Sequence, residues 1–271
     1  MTSALVAQRS HHLVTRRPTE AVRAQAIRWL TLAAVVAAWQ IACQTVLAGN
    51  DFLAAPSAVV AKGIPAVLSG DSLGELGLTT LRFLAAFAIV AIAGVPLGLA
   101  LGRLRTHVFL GTRDVVSVLY ALPLAPFYPL FVLWLGLGDK SEIAFGAIHG
   151  IVPVLLITMA AGAGVDANLI ASSRAMGAGR VQQLVSVVLP ATLPETISAL
   201  KIGAALSLLG VLLGELLISV DGVGTFITQQ VTNHQAARLD AMVLIICIGA
   251  IVVNAVLTSI ERRASYWRPQ D

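Results

Sequence analysis

Charge is what this chain has least of. Only 12% of its 271 residues are Asp, Glu, Lys or Arg, about half of the roughly 25% usual in soluble domains. Hydrophobic residues reach 57% and gather in long uncharged blocks instead of short amphipathic periods. A soluble globular domain is thereby excluded, and a polytopic membrane protein with little mass outside the bilayer is expected. Cysteine is scarcer still: Cys43 and Cys247 lie far apart, each inside an apolar block, where thiols usually pack, so neither a disulfide framework nor a thiolate metal site follows. The five histidines (11, 12, 107, 149 and 234) show no metal-ligand spacing. Paired catalytic groups are also missing, which disfavours a membrane-embedded enzyme. The run Gly136-Leu137-Gly138-Asp139-Lys140-Ser141 lacks the glycine directly before lysine and the earlier glycine of a phosphate loop, and reads as a turn between spans.

Uncharged blocks of about 20 residues can cross the hydrocarbon core. Residues 29–50, 83–102, 115–138, 143–165 and 241–260 qualify, and 196–220 is as long but carries Lys201 and Glu215. Six spans are expected, in an all-α integral membrane fold. With both termini inside, the segments 1–28, 102–114, 164–194 and 261–271 hold thirteen of the 18 basic residues. The other side keeps Lys62, Lys140 and Arg238, with Arg82 at a span edge, against Asp51, Asp71, Glu75, Asp139, Glu142, Asp221 and Asp240. The formal net charge of +4 is therefore a topology signal and not a nucleic-acid footprint. The domain reading is a cytoplasmic tail over 1–28, then one transmembrane domain over 29–271. Gln40-Ile41-Ala42-Cys43 faintly resembles a lipoprotein cleavage site, but the preceding apolar block is too long for a signal peptide and reads as an uncleaved first span.

Proline and glycine punctuate these blocks. Pro56-Ser57 opens either a short interfacial helix or a plain connector over 49–78. Gly94, Gly98 and Gly102, Gly146 and Gly150, and Gly210 and Gly214 recur at four-residue spacing, which suits close helix packing within the bundle more than a dimer seam. Pro123, Pro126 and Pro129 interrupt the third span. Freed carbonyls are tolerated where neighbours or a watery cavity satisfy them, so this span is either a pathway wall or simply kinked for shape.

Ionisable groups inside spans are functional candidates, because charge in lipid is costly. Glu215 lies toward the outer end of the fifth span, as a structural partner of Arg82 or part of an outer gate. Lys201 is about 21 Å away along a helix, too far to pair with Glu215, and is expected to snorkel at the inner end. His149, before Pro153, reads as a packing histidine held by a hydrogen bond rather than a substrate contact.

The longest polar interruption is Asp166 to Pro190, DANLIASSRAMGAGRVQQLVSVVLP. Asp166 suits an N-cap and Gly177 a C′ stop, with a helix between them. A second helix is expected from about Arg180 to Leu189, with Val181, Leu184, Val185 and Val188 on one stripe and Pro190 ending it. Pro194 and Glu195 then start span five. The physics leaves open whether this hairpin packs on its own bundle or receives a partner.

The stretch resembles the cytoplasmic loop of permease subunits of bacterial ABC importers. That pattern runs Glu-Ala-Ala, three residues, Gly, nine residues, an aliphatic residue, one residue, Leu-Pro. The matching positions are Ala171-Ser172-Ser173, Gly177, Val187 and Leu189-Pro190, with Ala171 in place of the glutamate and serines in place of both alanines. The similarity extends over roughly residues 52–267, through Leu53-Ala54-Ala55-Pro56-Ser57, Thr80-Leu81-Arg82-Phe83, Gly94-Val95-Pro96-Leu97-Gly98, the run 130–138, Leu200-Lys201-Ile202-Gly203, Gly214-Glu215 and Glu261-Arg262-Arg263. These segments are similar to the nitrate, sulfonate, taurine and bicarbonate branch.

The resemblance implies a type I ABC importer permease fold: six helices, multi-pass in the bacterial inner membrane, without enzymatic activity or cofactor of its own. Expected partners are a second permease copy, two ATPase subunits carrying ATP and Mg, and an extracytoplasmic solute-binding protein. It assigns ATPase coupling to Ala171, Ser172, Ser173, Arg174, Ala175, Met176, Gly177, Ala178, Arg180 and Pro190. The solute path or gate would lie near Tyr120, Pro123, Phe127, Ser207 and Glu215, with Arg82 and Lys201 as structural charges. The rival is an ion-coupled secondary transporter using Glu215, Lys201 and His149. Such folds show internal repeats with broken helices in both halves, whereas here prolines concentrate in the third span.

Overall fold

The computed structural model describes residues 18–46, 53–70 and 72–264. The expectations for the tail before Pro18, for Asp51, Phe52 and Asp71, and for the end beyond Ala264 lie outside the described residues.

Every regular element among the described residues is helical. In chain order they are α1 (Pro18–Gln44), α2 (Pro56–Leu68), α3 (Ser72–Gly102), α4 (Thr106–Ala121), α5 (Ala125–Leu135), α6 (Asp139–Ala163), α7 (Ala167–Ala175), α8 (180–191), α9 (Leu193–Leu217), α10 (Val223–Thr232) and α11 (Ala236–Ala264). Five are long and apolar enough to cross a membrane, and α4 with α5, bent by 82°, makes the sixth. Several boundaries differ from expectation. Helix α1 begins at Pro18 and ends at Gln44, so part of the expected tail is helical. Helix α3 begins at Ser72, which places Arg82 inside the span and not at its edge. Helix α10 lies between the last two spans, where polar Thr225, Thr228, Gln229 and Gln230 interrupt the apolar pattern; Thr228 and Gln229 are exposed and Gln230 is buried.

Proline explains most irregularities. Wide π-type turns occupy Val59–Gly63, Val90–Gly94 and Leu184–Val188. Each ends two residues before a proline, respectively Pro65, Pro96 and Pro190. The proline ring collides with the carbonyl four residues earlier, and each wide turn accommodates that carbonyl. The α4/α5 break has a related cause. Pro123 drives the preceding residue out of the helical region, and Leu122 is extended at φ −72°, ψ 133°. Pro126 and Pro129 then sit in first helical turns. Helix α6 instead continues through Pro153.

Helices α6 and α9 cross at the centre. A methyl group built on Gly210 would lie 2.9 Å from Gly146 Cα, and one on Gly150 2.8 Å from Gly203 O, closer than side chains allow. The four-residue glycine spacing thus serves packing inside the bundle. Helix α1 stays largely outside this core and meets α2 through Gln40, whose amide exchanges two 3.1 Å hydrogen bonds with Ser57. One end of the bundle gathers the α3/α4 turn and α7–α8, with Arg103 Nη1 donating to Gly162 O at 3.2 Å. The opposite end gathers α2, α10 and the start of α11.

Candidate functional site

The α7–α8 hairpin is built by local rules. Asp166 Oδ1 accepts from Asn168 N at 2.8 Å, capping α7. At the far end Gly177 adopts φ +82°. Its N–H bonds Arg174 O at 2.9 Å, and the Ala178 N–H bonds Ser173 O at 3.0 Å. This is the Schellman closure, which requires a left-handed residue where glycine alone is unstrained. Gln183 Nε2 returns to Ala178 O at 2.9 Å, tying the elbow to α8.

Which face the hairpin buries departs from the expected stripe. Val188 is buried and Leu184 half-buried, packing with Val187, Leu189 and Ala191 on Val90, Val95, Leu99 and Val154. Val181 and Val185 are 76% and 56% exposed. The π turn at 184–188 shifts the helical phase, so a stripe drawn at regular 3.6-residue spacing splits between two faces. Pro190 does not end the helix, which continues to Ala191. Among the residues carried over from the family loop, Ala171, Ser172, Arg174, Ala175, Met176, Gly177 and Arg180 are exposed, while Ala178 and Pro190 are half-buried. Ser173 is buried, donating to Ile170 O at 2.8 Å. The hairpin exposes the apolar Leu169, Met176, Val181 and Val185 as well as Arg174 and Arg180.

At the opposite end one guanidinium faces four carboxylates. Arg82, 3% exposed, donates from Nε to Asp139 at 2.7 Å, from Nη1 to Glu215 at 3.0 Å and from Nη2 to Asp221 at 2.6 Å. Glu142 Oε2 lies 2.6 Å from Nη1 as an ion pair off the N–H direction. Asp139 and Asp221 are 63% and 40% exposed, whereas the Glu142 and Glu215 side chains are fully buried. The same cluster caps α10. Gly224 N donates to Glu215 Oε2 at 2.9 Å and Val223 N to Thr79 Oγ1 at 2.9 Å. The Thr79 hydroxyl lies 2.8 Å from Glu215 Oε1, and Gly222 N donates to Glu75. A helix N-terminus leaves unpaired N–H groups and a positive dipole end. Here buried Glu215 of α9, half-buried Glu75 of α3 and the Thr79 hydroxyl supply both.

The structure brings Arg82 and Glu215 together, but it adds Glu142, Asp139 and Asp221, which sequence reasoning left as topology markers. The available signal was Asp139 and Glu142 at i, i+3 on one helix face. Lys201 does not snorkel alone: it pairs with Glu261, which also accepts from Ser198 Oγ at 2.9 Å. The pathway residues separate. Tyr120 lines a cavity of about 220 Å³ with Leu119, Leu122, Leu124, His149 and Leu206. His149 Nδ1 lies 2.9 Å from Phe145 O, so it packs and lines the cavity at once. Ser207 is fully buried where α6 and α9 cross, next to Gly150. Pro123 and Phe127 shape the α4/α5 break, and Glu215 belongs to the charge cluster.

Comparison with known proteins gives this geometry a family. Residues 94–266 match the family described as binding-protein-dependent transport system inner membrane component. The taurine transport system permease protein TauC of Escherichia coli (strain K12) is 28% identical over 244 residues, covering 88% of each chain. The aliphatic sulfonates transport permease SsuC of Bacillus subtilis (strain 168) is 27% identical, covering 87% of this chain and 85% of its own. In fold, the chain is similar to the inward-facing MetNI methionine ABC transporter, with a TM-score of 0.63 and 18% identity, over 71% of this chain and 95% of the other. The ion-coupled alternative is thereby set aside. The chain belongs to the binding-protein-dependent transport system inner membrane components, and is a multi-pass, non-enzymatic permease subunit of an ABC importer that works with a separate ATPase and a binding protein.

Proposed function

We propose that this permease carries a small anionic or polar solute, of the sulfonate, nitrate or bicarbonate kind, across a bacterial inner membrane into the cytoplasm. Two relatives named for taurine and for aliphatic sulfonates support the solute class. In this reading two copies form the membrane pore, two ATPase subunits sit at the α7–α8 end inside the cell, and the binding protein delivers solute at the Arg82 end. Both termini are cytoplasmic, as the Lys/Arg bias indicates.

The exposed face of the α7–α8 hairpin carries the reading. It joins a glycine-closed elbow to apolar and basic side chains that stand exposed among the described residues. Its inner face rests on α3 and α6 through Val188, Val90, Val95 and Val154. ATP-driven closure of the ATPase pair would displace the hairpin and, through this buried contact, the helices bordering the Tyr120–His149 cavity. Solute is handed on when its affinity differs between the two arrangements.

Gly177→Trp tests the coupling role. A Cβ at Gly177 meets nothing within 4 Å, so the indole projects outward without an internal clash. The positive φ costs about 1 kcal/mol for any L side chain, which Gly177→Ala shares without the bulk. Gly177→Trp is expected in the membrane at normal level but without copurifying ATPase, while Gly177→Ala retains it. Normal copurification and ATP-dependent uptake by the tryptophan variant would refute the docking role.

A further inference from the structure

A cavity of about 460 Å³ opens at the Arg82 end but away from the charge cluster, between α2 and the first turn of α11. Its lining includes Lys62, Ala66, His234, Gln235, Ala237 and Arg238, and among the described residues no carboxylate. The walls are closely fitted. Gly63 packs against the Ala237 carbonyl so tightly that no Cβ fits. Asp240, the neighbouring acid, has Oδ2 engaged by Ala54 N at 2.8 Å.

Arg82 and Arg238 are used in opposite ways. Arg82 is saturated by four acids, whereas neither Arg238 nor Lys62 takes part in any ion pair among the described residues. Arg238 is nevertheless held in place: Nη1 donates to Gln235 Oε1 at 3.1 Å, and the guanidinium lies 5.9 Å from the Phe226 ring centroid. Its Nε is buried without a hydrogen-bond partner. A fixed guanidinium lining one cavity with an exposed ammonium matches an oxyanion.

The depth of the cavity selects the oxyanion. Arg238 is in the first turn of a membrane-crossing helix. Val60 and Leu68 of α2 are 63% and 51% exposed, an apolar surface suited to hydrocarbon. The cavity therefore lies where hydrocarbon meets water, the level of lipid phosphate groups, which long basic side chains can reach and pair with. We propose that Lys62 and Arg238 form a binding site for the phosphate of an anionic phospholipid, which would anchor α2 against α11.

The test uses the full-length chain extracted in mild detergent, titrated with phosphatidylglycerol or phosphatidylcholine of equal acyl length and read by native mass spectrometry. Wild type is expected to prefer phosphatidylglycerol at least fivefold. Lys62→Gln and Arg238→Gln should each weaken retention about fivefold, the loss of one interfacial cation. Lys140→Gln, at an exposed lysine of the same end, should leave it unchanged. If Arg238→Gln fails to fold, Lys62→Gln, at an exposed side chain, carries the comparison alone. Equal retention by variants and wild type would overturn the site, as would equal binding of the two lipids. Displacement of lipid by equimolar inorganic phosphate would make it a free-anion site instead. Loss of binding-protein capture with unchanged lipid retention would reassign the surface to protein docking.

Discussion

Removing the Arg82 guanidinium should cost this permease more stability than removing any of its partners. The two exposed partners, Asp139 and Asp221, contribute little, because ion pairs open to water are worth about 0–1 kcal/mol. The buried pair differs. Glu142 and Glu215 are fully buried around Nη1, at 2.6 and 3.0 Å. Deleting one partner of a buried pair typically costs about 3–5 kcal/mol, since the remaining charge is left uncompensated. Thr79, Gly224 N and Ser219 still donate to these acids, so Arg82→Ala is placed within that range and not above it. By the scaling of chains of this size, the loss lowers the melting temperature by roughly 10 °C. Thermal scans of detergent-extracted protein, followed by retained monodisperse fraction, measure it. Adding Glu142→Gln should restore a substantial part of the loss, because one buried negative charge then remains where there were two. An Arg82→Ala variant melting within 2 °C of wild type, or a double variant no more stable than the single, would refute the account of the cluster.

The remaining predictions concern packing and the hairpin. Val188→Asp places a carboxylate on a buried position and should destabilise the fold by more than about 3 kcal/mol, whereas Val181→Asp, on the exposed face, should leave melting unchanged and weaken ATPase copurification. Were the two variants to behave alike, the assignment of faces on α8 would be wrong. Gly210→Val forces a branched side chain into the α6/α9 crossing and should cost about 1–3 kcal/mol, read as lower membrane yield and melting temperature. Lys201→Met separates a partly exposed pair with Glu261; a loss of about 1 kcal/mol or less is expected, and transport collapse at normal stability would show that Lys201 does more than hold α9 to α11.

The membrane spans were legible because hydrocarbon imposes one requirement on every residue of a span, and composition reports it directly. Their ends were less so. Helix α3 starts at Ser72, ahead of Glu75 and Arg82, because those charges find partners in other helices that hydropathy cannot see. The elbow at Gly177 was readable since a Schellman closure needs only adjacent residues. The orientation of α8 was not, because Pro190 acts through a π turn that rotates the face presented to the bundle. Family resemblance pointed to Tyr120, Pro123, Phe127, Ser207 and Glu215 as pathway positions; packing separates them, with Tyr120 beside His149 at the cavity, Ser207 inside the α6/α9 crossing and Glu215 in the charge cluster.

By itself the sequence determined that this is a bundle of membrane-crossing helices with a polar, glycine-hinged interruption between Asp166 and Pro190. Hydropathy, capping and proline chemistry are local, so they can be read from neighbours along the chain. Only the tertiary structure decided that Arg82 gathers Asp139 and Glu142 of α6, Glu215 of α9 and Asp221 of the turn before α10, and that one face of α8 is buried while the other is exposed. Buried charges are chosen by what surrounds them in space, and the partners of Arg82 lie 57 to 139 residues away along the chain.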